Sequence, residues 1–219
     1  MNARVQNAVT GRLSLRPPQA ESLAKLVRAI EAAPELLGHD QDVAAILVTL
    51  KAEFPTLEDF EREFPSLCFS LATGVGKTRL MGAFIAYLHL AHGINNFFVL
   101  APNLTIYIKL IADFTPNTPK YVFKGIAEFA VEAPTVITGD TYERVMGVRQ
   151  QGQILMPWAA RQSVHINIFN ISKINSEVRG GKSPRIKRLS EYIGESYFDY
   201  LAGLPDLVLV MDESHRYRA

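Results

Sequence analysis

The segment Leu71-Ala72-Thr73-Gly74-Val75-Gly76-Lys77-Thr78 constrains this chain more than any other. Two glycines one residue apart let the backbone turn its N–H groups inward around an anion, and a lysine and a hydroxyl follow at once. Upstream, Ser66 to Leu71 is a short apolar run that reads as a buried strand, with Cys68 inside it; downstream, Lys77 to about His92 turns helical. A strand feeding a glycine turn that opens a helix is the setting a phosphate loop requires, because the helix N-terminus adds partial positive charge. In that setting Thr73, Gly74, Val75 and Gly76 wrap the phosphates of ATP, Lys77 reaches the β- and γ-phosphates, and the Thr78 hydroxyl coordinates Mg2+. The strict form of the loop has glycine at position 71, where this chain has leucine, so the motif is the variant Ala-x-Gly-x-Gly-Lys-Thr.

A second motif supplies carboxylates. Leu207-Val208-Leu209-Val210-Met211 is an apolar run that ends directly in Asp212-Glu213-Ser214-His215. Asp212 would hold magnesium through water, and Glu213 would orient and deprotonate the water that attacks the γ-phosphate. Adjacent residues on an extended strand point to opposite sides, so the two acids can take different roles rather than share a single proton. His215 completes this catalytic set.

Between the motifs, apolar runs alternate with helical patterns. Pro17-Pro18 precedes a helix from Gln19 to Ala32, with Leu23, Leu26, Val27 and Ile30 on one face, and a second helix runs from about Asp42 to Phe54. The first ten or so residues are polar and unpatterned. Strands are predicted at 96–101, 135–138, 164–171 and 206–211, and helices at about 104–114 and 186–201. Alternation in Val164 to Ile171 predicts one wet or polar face for that strand. This order predicts an α/β fold with a mostly parallel sheet covered by helices on both faces, with ligands at the strand C-termini. Residues 1–65 read as an N-terminal helical segment and 66–219 as the nucleotide-binding lobe.

Composition narrows the setting. The formal net charge is +1, so affinity for nucleic acid or an anionic membrane has to come from local patches. One cysteine excludes an intrachain disulfide and a thiolate zinc cluster, as expected in a reducing cytoplasm. No apolar run reaches the roughly 20 residues needed to span a bilayer, and no secretory signal opens the chain.

Ala72-Thr73-Gly74-Val75-Gly76-Lys77-Thr78 and Asp212-Glu213-Ser214-His215 resemble motifs I and II of superfamily-two helicases and translocases. Val99-Leu100-Ala101-Pro102-Asn103-Leu104-Thr105 resembles their motif Ia, where a strand end and the next helix touch the nucleic-acid backbone; Asn103 and Thr105 are the contacts this implies. Within that superfamily the chain is similar to the res subunits of type III restriction enzymes and related DEAD/DEAH-box proteins, through the combination above and Arg216-Tyr217-Arg218-Ala219. The resemblance implies a RecA-like P-loop NTPase lobe, incomplete at its C-terminus, and acting on DNA, expected to be duplex. A second ATPase lobe, a methyltransferase or specificity subunit and a nuclease beyond residue 219 are its further implications. A sheet that stops after motif II also lacks the strand that lies between the motif I and motif II strands in this superfamily, so the chain is expected to be a truncated or split product of a longer protein. Arg16-Pro17-Pro18-Gln19 resembles the segment upstream of motif I in which a glutamine reads adenine, which implicates Gln19.

Other signals carry less. Lys173, Arg179, Lys182, Arg185, Lys187 and Arg188 crowd one segment that could grip phosphates or be a solvated loop. Thr138-Gly139-Asp140 reads as a turn rather than a backbone contact, His89 and His92 as helix residues rather than metal ligands, and Trp158, Tyr142 and Phe169 as packing residues. Two other functions stay open: a nucleotide-binding fragment without catalysis, and a P-loop ATPase acting on cargo other than nucleic acid.

Overall fold

The computed structural model describes residues 2–38, 42–60, 62–144, 163–171 and 196–213. Its backbone divides into two compact units, Met1–Ala91 and His92–Ala219.

The first unit is helical. It contains α1 (Asn2–Arg12), α2 (Pro17–Ala32), a 3-10 turn (Pro34–Leu37), α3 (Val43–Glu53) and α4, which begins at Lys77 and runs to His92. Helix α2 starts on two prolines, whose fixed φ suits the first turn, and buries Leu23, Leu26, Val27 and Ile30, the face its sequence spacing predicts. Asp42 caps α3 by accepting from the Ala45 N–H at 3.0 Å. Ala29 and Ala33 then pack with Ile46, Leu50 and Phe60 into one core cluster.

Two expectations fail in this unit. The polar start of the chain is the helix α1, which buries Val9. It was illegible because one buried side chain in eleven residues leaves no periodic stripe. Residues 66–71 form no strand, and Cys68 is exposed. The segment docks side chains on helices instead of a sheet: Leu67 joins the α2–α3 cluster, and the Phe69 ring lies 4.8 Å from that of Phe84 on α4.

The second unit is built on a sheet. Strands β1 (Asn96–Ala101), β2 (Thr135–Thr138), β3 (His165–Asn170) and β4 (Leu207–Met211) lie in the order β2-β3-β1-β4, every pair parallel. The register matches Asn96 to His165 on one side and to Leu207 on the other. Asp206 fixes the β4 side of this register by accepting from the Asn95 N–H at 2.7 Å and from Asn96 Nδ2 at 2.5 Å. On one face Phe98, Leu100, Ile137 and Phe169 pack with Tyr142 and with Tyr197 and Leu201 of helix α7 (Tyr197–Ala202). On the other, Phe97, Val99, Ile166 and Ile168 are buried. Helix α5 (Leu104–Phe114), which follows β1, packs against β1 and β3, and the short helix α6 (Ala127–Val131) precedes β2. No helix among the described residues is long and apolar enough to cross a membrane.

The α/β, mostly parallel reading is borne out, every described strand pair being parallel, with β1, β2, α4 and α5 at the bounds expected. Of the two readings of β3, a wet or a polar face, the wet one fails: all six of its residues are buried, His165 and Asn167 among them. Its polar Asn167 is satisfied internally, donating from Nδ2 to the Phe97 carbonyl at 3.0 Å and accepting at Oδ1 from the Tyr197 hydroxyl. A buried amide held on both atoms is compatible with a core, which an alternation pattern cannot reveal. Tyr142 and Phe169 are core residues, as expected. The helix expected at 186–201 is described only as α7, and 172–195, with the whole basic cluster, lies outside the described residues, as does Trp158.

Tyr197→Phe should therefore leave Asn167 Oδ1 without that donor in a dry site and lower stability by about 1–3 kcal/mol. Denaturant unfolding of the two proteins measures this; an unchanged midpoint would show that the bond contributes nothing.

Candidate functional site

In the first unit the glycine loop leads straight into α4. Gly74 has φ +83° and Gly76 φ +94°, with Val75 outside the positive region between them. Left-handed backbone costs an L-residue side chain about 1–2 kcal/mol, so both positions favour glycine. The Gly76 carbonyl accepts from the Arg79 N–H at 3.0 Å and the Leu80 N–H at 3.2 Å, which makes it the first acceptor of α4. Thr73 and Gly74 are exposed, Lys77 is half-buried, and Thr78 is buried in the first turn of the helix.

The start of α2 reaches this loop. Gln19 is only 2% exposed, and its Nε2 donates to the Val75 carbonyl at 3.0 Å and to the Gly76 carbonyl at 2.8 Å. Its Oε1 accepts from the Arg16 N–H at 2.8 Å, as a residue in the third helical position can. The Arg16 guanidinium lies 3.4 Å from the Gly74 carbonyl. Arg16 was not singled out as a site residue by the sequence reading; the signal available was its place in Arg16-Pro17-Pro18-Gln19.

In the second unit the C-terminal ends of the strands form one row. Between β1 and α5, Asn103 caps the helix, its Oδ1 accepting from the Ile106 N–H at 2.9 Å. That leaves its Nδ2 hydrogens as what it can offer an oxyanion. Thr105 is exposed on the first turn. At the end of β4 the Asp212 N–H donates to the Leu100 carbonyl at 3.3 Å, and the chain then turns, with Glu213 at φ +54°. The two acids are thus separated by a turn rather than by the alternation of an extended strand, which corrects the geometry expected for them. At the β2 end, Thr138-Gly139-Asp140 is a turn closed by the Thr141 hydroxyl, which accepts from the Thr138 N–H at 3.0 Å. His215 lies outside the described residues.

The structure therefore brings Gln19 and the loop 73–78 together in one unit, and gathers Asn103, Thr105, Asp212 and Glu213 along one sheet edge in the other. A four-stranded parallel sheet with helices packed on it, among the described residues, has the α/β architecture of the RecA-like P-loop class. The family model for the type III restriction enzyme res subunit, a domain related to helicase superfamily two, matches residues 12–219, and the chain belongs to that family. No curated protein and no solved structure matches it.

A methyl group at Gly74 would meet nothing within 4 Å, whereas one at Gly76 would stand 2.7 Å from Gln19 Nε2. Gly74→Ala should therefore cost about 1 kcal/mol of backbone strain, and Gly76→Ala more, because the buried Gln19 amide must also move. Thermal unfolding of both variants ranks them, and equal midpoints would contradict the contact.

Proposed function

We propose that residues 66–219 are the first ATP-binding lobe of a DNA-dependent ATPase, preceded by the helical segment 1–65, and that this lobe serves a type III restriction subunit coupling ATP hydrolysis to movement along duplex DNA. The observation that carries the reading is the alternating-φ loop at the start of α4, inside a stretch that matches the family over 12–219. Backbone amides of alternating geometry make a concavity that suits phosphate oxygens, and the helix N-terminus adds partial positive charge there.

Each role follows from the chemistry of its side chain. Lys77 supplies a point charge for the β- and γ-phosphates. The Thr78 hydroxyl and Asp212, the latter through water, offer the hard oxygen donors that magnesium prefers, and magnesium would neutralise charge on the phosphate oxygens. Glu213 accepts a proton from the water attacking the γ-phosphorus as the bond to the β–γ bridging oxygen breaks, leaving ADP and inorganic phosphate. His215 belongs to the same motif and to the same proposal. The N–H groups of Leu104 and Thr105 in the first turn of α5, with Asn103 Nδ2 and the Thr105 hydroxyl, suit a nucleic-acid phosphate. An adenine contact by Gln19 would use the remaining lone pair of Oε1. A second ATPase lobe and a methyltransferase or specificity subunit are the partners the family likeness implies.

Hydrolysis by the chain should rise on adding duplex DNA, and Glu213→Gln should retain nucleotide binding while losing hydrolysis by about 10²–10⁴-fold. Hydrolysis indifferent to every nucleic acid would point to another cargo. Binding by the parent without hydrolysis under any condition would point to a non-catalytic nucleotide-binding fragment.

A further inference from the structure

The contacts between the start of α2 and the glycine loop have a directional consequence. A trans peptide unit holds its C=O and its N–H on opposite sides, and no peptide described here is cis. Three successive carbonyls, those of Gly74, Val75 and Gly76, are engaged by Arg16 and Gln19. The N–H groups of Val75, Gly76 and Lys77, at the other ends of the same peptide units, therefore point away from α2. Three consecutive N–H groups aimed to one side are what an anion-binding backbone concavity consists of.

The group that aims them is held firmly. Gln19 is buried, both hydrogens of its Nε2 are used on the loop, and its Oε1 is tied to the Arg16 N–H within the first turn of a helix that two prolines fix. The Arg16 contact is longer and exposed, so Gln19 does most of the holding. We propose that Gln19 is a positioning residue of the phosphate loop: its carboxamide turns the Val75 carbonyl, and together with the Arg79 and Leu80 N–H groups of α4 the Gly76 carbonyl, away from the ligand side, so that the loop presents its N–H groups to a phosphate chain whether or not a base is attached. This rests on the reading of the loop as a phosphate site.

Inorganic tripolyphosphate, which has no base to be read, tests it. Gln19→Met keeps the length of the side chain and removes both donors and the acceptor. Titration of the full chain with tripolyphosphate and with ATP should show the variant weakened for both ligands by a similar factor, about tenfold if the released loop keeps its binding shape about a tenth of the time. Loss of ATP affinity with tripolyphosphate affinity intact would overturn the proposal and make Gln19 a reader of the base alone; unchanged affinity for both would overturn it as well. If Gln19→Met does not unfold cooperatively, Gln19→Asn takes its place, since it keeps a buried carboxamide but withdraws it by one carbon from the two carbonyls. The same parallel loss is then expected. A parent chain that binds no tripolyphosphate would instead contradict the phosphate-site reading itself, and the proposal with it.

Discussion

A parallel strand buried on both faces can satisfy its backbone only through a neighbour on each edge, and β1 does so with β3 and β4. That pairing organises the second unit. Leu100 lies beside both Phe169 and Met211, so α5 leaves β1, and Asp212 leaves β4, at the same edge of the sheet. Asp206 and Asn96 lock the register at the opposite edge. A slip of one residue would reverse every side chain and bury Asp206 or expose Phe98, which is why the register is strongly specified. Among the described residues β4 pairs on one side only, with β1, and it is correspondingly half-buried, with Leu209 42% exposed.

The first unit solves a different problem, holding a loop whose backbone angles suit only glycine. Its solution is a polar hub at the start of α2. Prolines at the first helical positions give up N–H groups that would go unbonded anyway, and the third position, Gln19, turns its amide to the loop rather than to solvent. A buried carboxamide with three bonds is stable only when every partner stays in place, so α2 and the loop constrain each other. The capping of α2 and the shape of the glycine loop are thus one structural feature.

Much of this was legible in the sequence because its strongest signals are local. Strand β1 is an uninterrupted apolar run closed by Pro102, and α5 starts at an asparagine cap; both have the bounds their residues predict. The glycine loop was legible from spacing alone. What escaped was decided by tertiary partners. Residues 66–71 have the composition of a strand, yet their side chains found helices, and the alternation in β3 signalled a wet or polar face where Tyr197 and the Phe97 carbonyl supply the partners that water would have given. Asp212 and Glu213 were expected to alternate as on an extended strand, but the positive φ of Glu213 places it in a turn. The job of Gln19 toward Val75 and Gly76 could not be read from Arg16-Pro17-Pro18-Gln19, since the glutamine and its two acceptors are more than fifty residues apart.

The central claim, that the loop opening α4 is a working phosphate site in a folded chain, is tested most directly by thermal unfolding with and without magnesium-ATP in the parent and in Lys77→Ala. A ligand bound only by the native state raises its midpoint, by the equivalent of about 2.7 kcal/mol at a hundred times its Kd. The account predicts a rise in the parent that Lys77→Ala loses. A parent that shows no rise, or a rise of equal size in both proteins, would contradict it.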